Sequence, residues 1–421
     1  MIALVDINNC YVSCERVFNP KLRDKPVVVL SNNDGCVISR SNEAKKLGVK
    51  MAVPTFQIEE LKRKYDIQVF SSNYELYGDM STRLMATLNQ FTPEMEIYSI
   101  DEAFIDLTGF EHLGLKEYGE KITQTVLRNT GLPVSMGIGP TKTLAKVANK
   151  FAKKYPRYNS VCLIDNEEKR IKALQLTNIA DVWGIGRRNA KKLQASGIKT
   201  AYEFTQLNQK KVRSIYTVVG EQIWLELQGI RCYEIEKQPA SKKQICTSRS
   251  FGRMVTDYEE LKEAVATYAA VCASELREQN IFAISLMAFI HTNSFNKNDL
   301  QYSSSKIIQL PFSNNSTPYI IKYALQALKD IYKPGYRYKK AGVIITETTQ
   351  NVQTNLFHDY DYEKDKSLMK VIDKYNKGFN NDKVKLAIQG TKDNEWKIKR
   401  NKLSPRYTTN IEEVIRINCK I

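Results

Sequence analysis

The stretch EIYSIDEAFIDLTG at residues 96–109 places an acidic pair, Asp101 and Glu102, between two runs rich in β-branched and aromatic residues. Such residues are enriched in strands, so the pattern predicts two strands joined at or near the acidic pair. Neighbouring side chains on a straight strand point to opposite faces. Both carboxylates can therefore serve one site only if the backbone bends there, and the end of a hairpin supplies that bend.

A third acid stands at the end of the first predicted strand. The apolar run from Ile2 to Val5 ends at Asp6, a pattern typical of a buried strand that delivers a carboxylate at its carboxyl end. A lone acidic pair is more often solvated, and a lone Asp more often caps a turn. Three acids emerging from apolar strands are costly to hold together unless a cation compensates them, so the pattern favours a site for hard ions such as Mg²⁺.

The segments around these acids alternate between strand and helix patterns, which predicts an α/β domain with further domains after it. Apolar residues at four-residue steps from Leu76 to Leu88 predict an amphipathic helix, and Ser41 stands where the cap of a short helix is expected. Residues 166–231 have an all-helical pattern, and 232–244 form a charged linker. Residues 245–346 have a split β-α-β pattern, and 347–421 are predicted to be a mostly flexible tail.

Composition limits the classes of function. The chain has 421 residues, 42% of them apolar, which predicts two to four domains, and its formal net charge of +17 favours a polyanionic partner. The eight cysteines include no C-x-x-C pair and the three histidines are scattered, so zinc binding and histidine catalysis are disfavoured. No apolar run approaches the ~20 residues of a membrane span, and we expect a cytoplasmic protein.

Two basic motifs carry part of the positive charge. Lysines recur every three to four residues from Lys142 to Lys154, which predicts a helix face of like charges that is either solvated or bound to an anion. In DVWGIGRRNAKKLQASGI, residues 181–198, Gly184 and Gly186 permit a tight turn before a helix that begins with Arg187 and Arg188. That arrangement favours sequence-independent binding of a nucleic-acid backbone.

Three stretches together carry a resemblance to a known family: DINNCYVSCE at 6–15, SNNDGCVISRSNEAKKLGV at 31–49, and EIYSIDEAFIDLTG at 96–109. The chain closely resembles, over nearly its whole length, the Y-family translesion DNA polymerases of the UmuC type, which form the catalytic subunit of DNA polymerase V. The resemblance implies a right-hand polymerase fold. Its parts would be a palm (1–19 and 71–165), fingers (20–70), a helical thumb with a helix-hairpin-helix (166–231), a linker (232–244), a little finger (245–346) and a tail (347–421).

The same resemblance implies a two-metal site that joins a deoxynucleoside triphosphate (dNTP) to a primer 3′ hydroxyl, with Mg²⁺ as the cofactor. Asp6 and Asp101 would hold both ions, the carbonyl of Ile7 would be a further ligand, and Glu102 would complete the site. The residues implied to bind the dNTP are Tyr11, as a gate against the ribose 2′ hydroxyl, Lys45 and Lys153 on the triphosphate, and Asn42. Asn42 stands where the broader family has a tyrosine, and Lys45 where many members have an arginine.

The resemblance also implies DNA contacts and protein partners. The residues implied to contact DNA are Gly184, Gly186, Arg187 and Arg188 in the thumb and Arg249 and Arg253 in the little finger. Residues 353–357, QTNLF, fit the Q-x-x-L-F peptide that docks on the sliding clamp, with Gln353, Leu356 and Phe357 as its anchors. The implied partners are primer-template DNA, the sliding clamp, processed UmuD subunits and a RecA filament; no membrane is involved.

Two other functions are open from the residues alone. A nucleotide cyclase also uses strand-end and hairpin carboxylates on a palm-like fold, but it would not need the hairpin motif, the lysines or the clamp peptide. A non-catalytic DNA-binding scaffold could carry vestigial acids, but Asp6, Asp101 and Glu102 are all intact. The resemblance therefore favours error-prone synthesis across damaged DNA in the SOS response.

Overall fold

The computed structural model describes residues 1–236, 242–351, 361–378, 384–390 and 396–415. The chain forms two compact units. The first comprises Met1–Ser31, Gly35–Pro239 and Lys402–Ile421, and the second comprises Asn32–Asp34 and Ala240–Asn401. Within the described ranges, no helix is both long and apolar enough to cross a lipid bilayer.

The first unit contains eight strands and ten α-helices among its described residues. The strands are β1 (Ile2–Ile7), β2 (Val27–Leu30), β3 (Val37–Arg40), β4 (Gln68–Ser71), β5 (Met95–Ile97), β6 (Glu102–Asp106), β7 (Val134–Gly139) and β8 (Val161–Leu163). The helices are α1 (Cys10–Phe18), α2 (Asn42–Lys46), α3 (Glu59–Tyr65), α4 (Tyr74–Leu88), α5 (Leu115–Thr130), α6 (Lys142–Lys154), α7 (Glu167–Gln175), α8 (Arg187–Ala195), α9 (Ala201–Thr205) and α10 (Gln209–Leu227).

The larger sheet of this unit has the order β5-β6-β1-β7-β8, with β1 antiparallel to both of its neighbours. Alternate residues of a strand share a face. On one face Ala3 and Val5 pack in a core with α1, α4 and α5. On the other face Ile2 and Leu4 pack against α6, and Asp6, two residues further along β1, lies on that same face.

A glycine lets α6 approach the sheet closely. Gly137 pairs with Leu4 across β1 and β7, and a Cβ at this position would lie 2.1 Å from the backbone nitrogen of Asn149 in α6. Any larger residue would therefore push the helix away from the strand. The close packing brings the side chains of α6 within reach of the carboxylates on β1 and β6.

The local patterns predicted most of these elements. The helix predicted from its four-residue steps is α4, and its four stripe residues, Leu76, Met80, Leu84 and Leu88, are all buried. The Ser41 hydroxyl accepts a hydrogen bond from the Ala44 amide, as the predicted cap of α2 should. Residues 166–231 contain only helices and connections, as predicted.

The second unit has a four-stranded sheet of order β11-β10-β12-β9 with two helices packed in its core. Its elements are β9 (Ile245–Val255), α11 (Tyr258–Glu278), β10 (Phe282–Thr292), β11 (Ser303–Asn314), α12 (Thr317–Ile331), β12 (Tyr338–Thr349) and α13 (Tyr362–Gly378). The order of β9 to β12 and the two helices between them confirms the predicted split β-α-β pattern. With the first unit, it confirms the predicted mixed α/β multidomain fold.

The prediction of a mostly flexible tail after residue 347 is wrong for the residues that the structure describes there. Helix α13 is joined to α11 because Asp373 accepts hydrogen bonds from Arg277 at 2.7 and 2.8 Å. Trp396 is buried in the core of the second unit, and Ser404 is buried in the first. The polar composition of these residues concealed contacts that depend on distant parts of the chain.

Candidate active site

The hairpin of β5 and β6 brings the three acids to one end of the larger sheet. Asp6 and Glu102 are direct partners in the β1–β6 register, so their side chains lie next to each other on one face. Asp101 lies in the turn before β6, and its carbonyl accepts a hydrogen bond from the Ile7 amide at 3.0 Å. The predicted bend between the strands is therefore present, and it places all three residues together.

A serine shapes the turn that holds Asp101. The Ser99 hydroxyl accepts hydrogen bonds from the amides of Asp101 and Glu102 at 3.2 and 3.1 Å. The same hydroxyl donates to Oδ1 of Asp101 at 2.6 Å. These three bonds fix the backbone of the turn and the direction of the Asp101 carboxylate at once.

Lysines from α6 neutralise the other two acids. Lys153 forms an ion pair with Oδ1 of Asp6, and the Lys146 ammonium lies 3.0 and 3.1 Å from the two carboxylate oxygens of Glu102. Burial raises the pKa of Asp6 to about 7; Lys153 opposes that shift, while Glu102 and Asp101 add to it. The charges of Glu102 and Asp101 therefore act on the Asp6 carboxyl.

The donor set has the chemistry that Mg²⁺ prefers, since it consists of carboxylate oxygens at the end of a sheet. Across the described ranges, however, no three His, Cys, Asp or Glu side chains are arranged to hold a metal ion. Each acid is instead bonded to a neighbour, either Lys153, Lys146 or Ser99. Ile7, whose carbonyl we predicted as a further ligand, is the last residue of β1.

Tyr11 lies on α1 in an aromatic cluster. Its ring stacks on Tyr77, with ring centres 4.5 Å apart and planes inclined by 14°, and it meets Tyr74 edge-on at 6.0 Å. Burial raises the pKa of Tyr11 to about 12, so its hydroxyl is neutral at physiological pH. The ring is thus held from two sides, and its position depends on α4.

Asn42 and Lys45 lie together on α2 and share a partner that sequence reasoning missed. The Lys45 ammonium donates to Oδ1 of Asn9 at 2.5 Å and to Oδ1 of Asn42 at 3.2 Å, and Asn9 donates to Asn42 at 3.3 Å. Burial lowers the pKa of Lys45, and the positive charges of Arg40 and Lys153 lower it further. Asn9 has a positive φ of 51°, a conformation that asparagine adopts more readily than most residues. The asparagines of the DINN stretch, residues 6–9, were therefore the sequence signal that could have pointed to Asn9.

The lysines of α6 do not form the uniform face of like charges that their spacing predicted. Four of these lysines form ion pairs with acids: Lys142 with Glu96, Lys146 with Glu102, Lys150 with Asp181, and Lys153 with Asp6. The prediction is wrong because the repulsion it assumed is compensated within the protein. An anionic partner is not needed to explain the spacing.

Lys146 also lies among three aromatic rings, which sequence reasoning did not foresee. Its ammonium is 4.4, 5.4 and 5.6 Å from the ring centres of Tyr98, Trp183 and Phe104. The Trp183 indole donates to the Tyr98 hydroxyl at 3.0 Å. Cation–π contacts therefore hold the lysine that neutralises Glu102, and one of the rings belongs to the segment that leads into α8.

The predicted hairpin of the thumb has the expected backbone. Gly184 has a φ of +84°, which favours glycine, and Gly186 caps the start of α8. Arg187 and Arg188 occupy the first turn of α8 and are exposed. The segment thus presents free helical amides and two cations to solvent.

The structure describes the two predicted DNA-binding arginines of β9 but not the anchors of the predicted clamp peptide. Arg249 on β9 is exposed, whereas Arg253 is half-buried and forms an ion pair with Glu260. The anchors of the predicted clamp peptide, Gln353, Leu356 and Phe357, lie outside the described residues.

Comparisons with known proteins identify the family of the chain. A model of the impB/mucB/samB family matches residues 5–150, and a model of that family's C-terminal domain matches residues 242–356. A third model, of a domain of unknown function, matches residues 366–417.

Relatives and solved structures extend the match. The chain is 44% identical to Protein UmuC of Salmonella typhimurium strain LT2 over 99% of this chain and 100% of that protein. It is 26% identical to DNA polymerase IV 2 of Bacillus subtilis strain 168, over 86% of this chain and 88% of that protein. A Y-family DNA polymerase chimera of Dbh and Dpo4 superposes with a TM-score of 0.65 at 22% identity, covering 84% of this chain and 100% of the chimera.

The relatives, together with the fold, thus identify a DNA polymerase of the Y-family class. Within that class, the chain belongs to the impB/mucB/samB family. The predicted resemblance to the UmuC type is confirmed by the identity over nearly the full chain.

The ion pairs of Lys142 and Lys150 predict that replacing lysine with methionine lowers the free energy of unfolding by different amounts at the two positions. In Lys142→Met, Glu96 loses a partner in a pair whose side chains are only 4% and 12% exposed, so we expect a loss of about 3–5 kcal/mol in the free energy of unfolding. In Lys150→Met the lost pair is 45% and 50% exposed, and we expect a loss below about 1 kcal/mol. Urea denaturation of both variants measures the difference, and equal losses would contradict the pairing.

Proposed function

We propose that this protein carries out template-directed, error-prone DNA synthesis across damaged DNA, as part of the SOS response. The reaction transfers a nucleotidyl group from a dNTP to the 3′ hydroxyl of a primer. The observation that carries the proposal is the grouping of Asp6, Asp101 and Glu102 at one end of the palm sheet. The relatives named UmuC and DNA polymerase IV support it.

Asp6, Asp101, Glu102 and the carbonyl of Ile7 are the groups that would hold two Mg²⁺ ions. When bound, such ions activate the attacking hydroxyl and neutralise the charge of the triphosphate. Lys153 and Lys146 stand in for that positive charge in the structure described here. On metal binding, Lys153 and Lys146 would release the carboxylate oxygens. Lys153, still close to Asp6, would then donate hydrogen bonds to the triphosphate.

The dNTP would lie between the acids and α2. Lys45 provides a cation for the triphosphate. Burial lowers its pKa and the positive charges of Arg40 and Lys153 lower it further, so this neighbourhood is suited to an anion. Asn42 and Asn9 orient the Lys45 ammonium through their side-chain oxygens. Tyr11 would contact the sugar and exclude a 2′ hydroxyl.

Primer-template DNA would bind along the thumb and the little finger. Gly184, Gly186, Arg187 and Arg188 offer exposed amides and cations to a phosphate backbone without reading its sequence. Arg249 and Arg253 on β9 would contact the duplex from the second unit. The sliding clamp, processed UmuD subunits and a RecA filament are the proposed protein partners, and the cytoplasm is the proposed location.

The metal site predicts a sharp loss of activity without a loss of fold. In Asp101→Asn, the amide oxygen can still accept the Ser99 hydrogen bond, but the charge is gone. We expect primer extension to fall by roughly 10²-fold or more, since the ions supply several kcal/mol to the transition state. DNA affinity should be unchanged by fluorescence anisotropy. Asp79→Asn, at a half-buried carboxylate of α4 that pairs with Arg83, is the control, and normal extension by Asp101→Asn would exclude the proposed site.

The gate predicts a change in sugar selectivity. Replacing Tyr11 with Ala removes the ring that would meet a 2′ hydroxyl, so we expect ribonucleotide incorporation to rise on the order of 10- to 100-fold. Single-nucleotide insertion kinetics with matched dNTP and ribonucleotide measure the ratio. Tyr65→Ala on α3 removes an exposed ring and should leave the ratio unchanged. A Tyr11→Ala enzyme with normal selectivity would remove the gate assignment.

The clamp peptide predicts a loss confined to processive synthesis. Leu356→Ala combined with Phe357→Ala removes two apolar anchors, so we expect the product length to stop depending on the clamp. Distributive synthesis without the clamp should be unaffected. The control is Thr354→Ala with Asn355→Ala, at the two positions of the peptide that carry no anchor. Clamp stimulation that survives in the anchor variant would show that the match is a coincidence.

A further inference from the structure

The C-terminal segment, defined here as residues 402–410, pairs with the chain just before α4. The Ser71 amide donates to the carbonyl of Lys402, and the Lys402 amide donates to the Ser71 hydroxyl, both at 2.9 Å. Asn73 donates from Nδ2 to the carbonyl and the hydroxyl of Ser404 at 3.1 and 3.0 Å. Ser71 and Asn73 are fully buried, and the segment supplies hydrogen-bond partners to both.

Asn73 links the C-terminal segment to the start of α4. Its Oδ1 accepts a hydrogen bond from the Leu76 amide at 3.3 Å, which caps the helix. Its Nδ2 is the group that binds Ser404. One side chain therefore joins the segment to the helix turn that carries Tyr74 and Tyr77.

A buried glutamate forms a second link. Glu15 on α1 is 1% exposed, and its Oε1 accepts hydrogen bonds from the Tyr77 hydroxyl at 2.7 Å and the Ser404 hydroxyl at 3.0 Å. Burial raises the pKa of Glu15 to about 7, as expected for a carboxyl group removed from water. Such a group needs its donors, and Ser404 is one of the two.

Tyr77 connects this buried site to the sugar gate. Its hydroxyl is bound by Glu15, and its ring stacks on Tyr11 with ring centres 4.5 Å apart. Tyr11 and Glu15 are four residues apart on α1, which places them on the same side of the helix. A change at Ser404 would therefore reach Tyr11 through three contacts, by way of Glu15 and Tyr77.

The segment has another anchor on α1. The Tyr407 ring stacks on Phe18, the last residue of the helix, with ring centres 4.9 Å apart and planes inclined by 9°. Ser404 and Tyr407 together hold the segment against the helix that carries Tyr11. The attachment thus covers both α1 and the start of α4.

We propose that the C-terminal segment positions the sugar gate: Ser404, acting through Glu15 and Tyr77, holds the Tyr11 ring in the place where it discriminates against a 2′ hydroxyl. The inference rests on the proposed function, since it assigns to Tyr11 the role of that gate. It gives a role to part of residues 366–417, which match a domain of unknown function. Ser404 is a positioning residue, because it touches Tyr77 only through Glu15.

Discrimination by a steric gate is sensitive to small displacements. A group held loosely by about 1 Å loses much of its effect on a reaction. Tyr11 is only partly buried, so the stack with Tyr77 is a main restraint on its ring. Loosening the Tyr77 hydroxyl would let both rings shift while leaving the acids of the active site untouched.

The test uses the full chain and measures kcat/KM for a dNTP and for the matching ribonucleotide. We expect Ser404→Ala to lower the ratio of the two by roughly 3- to 10-fold, the effect of losing one buried hydrogen bond, with kcat/KM for the dNTP nearly unchanged. Glu15→Gln keeps an oxygen that accepts both bonds, so it should retain the ratio, whereas Glu15→Leu should lose it. Thr82→Ala, which removes an exposed hydroxyl from α4, is the matched control.

A double-mutant cycle separates positioning from general stability. If Ser404 acts through the gate, Ser404→Ala should have no further effect on the ratio once Tyr11 is replaced with Ala. Amide hydrogen exchange supplies a readout other than activity: exchange at residues 74–77 should rise in Ser404→Ala and stay normal in Thr82→Ala. Tyr407→Leu is a second variant that loosens the segment and removes neither hydrogen-bond donor of Glu15, and it should lower the ratio too.

The outcomes distinguish this inference from the proposed function. An active Ser404→Ala enzyme with unchanged selectivity, or effects of Ser404→Ala and Tyr11→Ala that simply add, would overturn the inference alone. Absence of primer extension by the unaltered chain would overturn the proposed function and this inference with it. If Ser404→Ala lowers the sugar selectivity of the otherwise unaltered chain but has no effect in the Tyr11→Ala background, both proposals are supported.

Discussion

The crowding of Asp6 against Glu102 is the constraint on which the rest of the active site depends. Like charges directly opposite each other on antiparallel strands destabilise a sheet. The chain compensates them with Lys153 and Lys146, which α6 can deliver only because Gly137 lets the helix lie against β7. The geometry of the acids is therefore inseparable from the packing of one helix on one strand.

The same helix connects the acids to the thumb. Lys150 pairs with Asp181, and Lys146 lies against Trp183, so two residues just before the hairpin glycine Gly184 contact α6. Lys146 is also the cation on Glu102, so one side chain contacts both that carboxylate and the segment just before the hairpin.

Sequence patterns predicted the features that depend on neighbours in the chain. Helix α4 followed from the four-residue repeat, the bend at Asp101 from the strands that flank it, and the turn at Gly184 from its glycines. The grouping of the three acids could be predicted from the short hairpin and from the resemblance to a known family. The prediction of a uniform lysine face was wrong because the partner acids Glu96 and Asp181 lie 46 and 31 residues from their lysines. Nothing in the local sequence of the helix reveals these partners.

The C-terminal segment shows the same limit in a stronger form. Ser404 binds Asn73 and Glu15 across 331 and 389 residues, and its polar surroundings in the sequence are typical of a solvated tail. Polar composition predicts exposure because apolar burial is the usual reason for a chain to fold back. A buried carboxyl and a buried amide reverse that argument, since they cost free energy until donors and acceptors reach them. A short polar segment can therefore be a structural element wherever the rest of the protein has left such groups to satisfy.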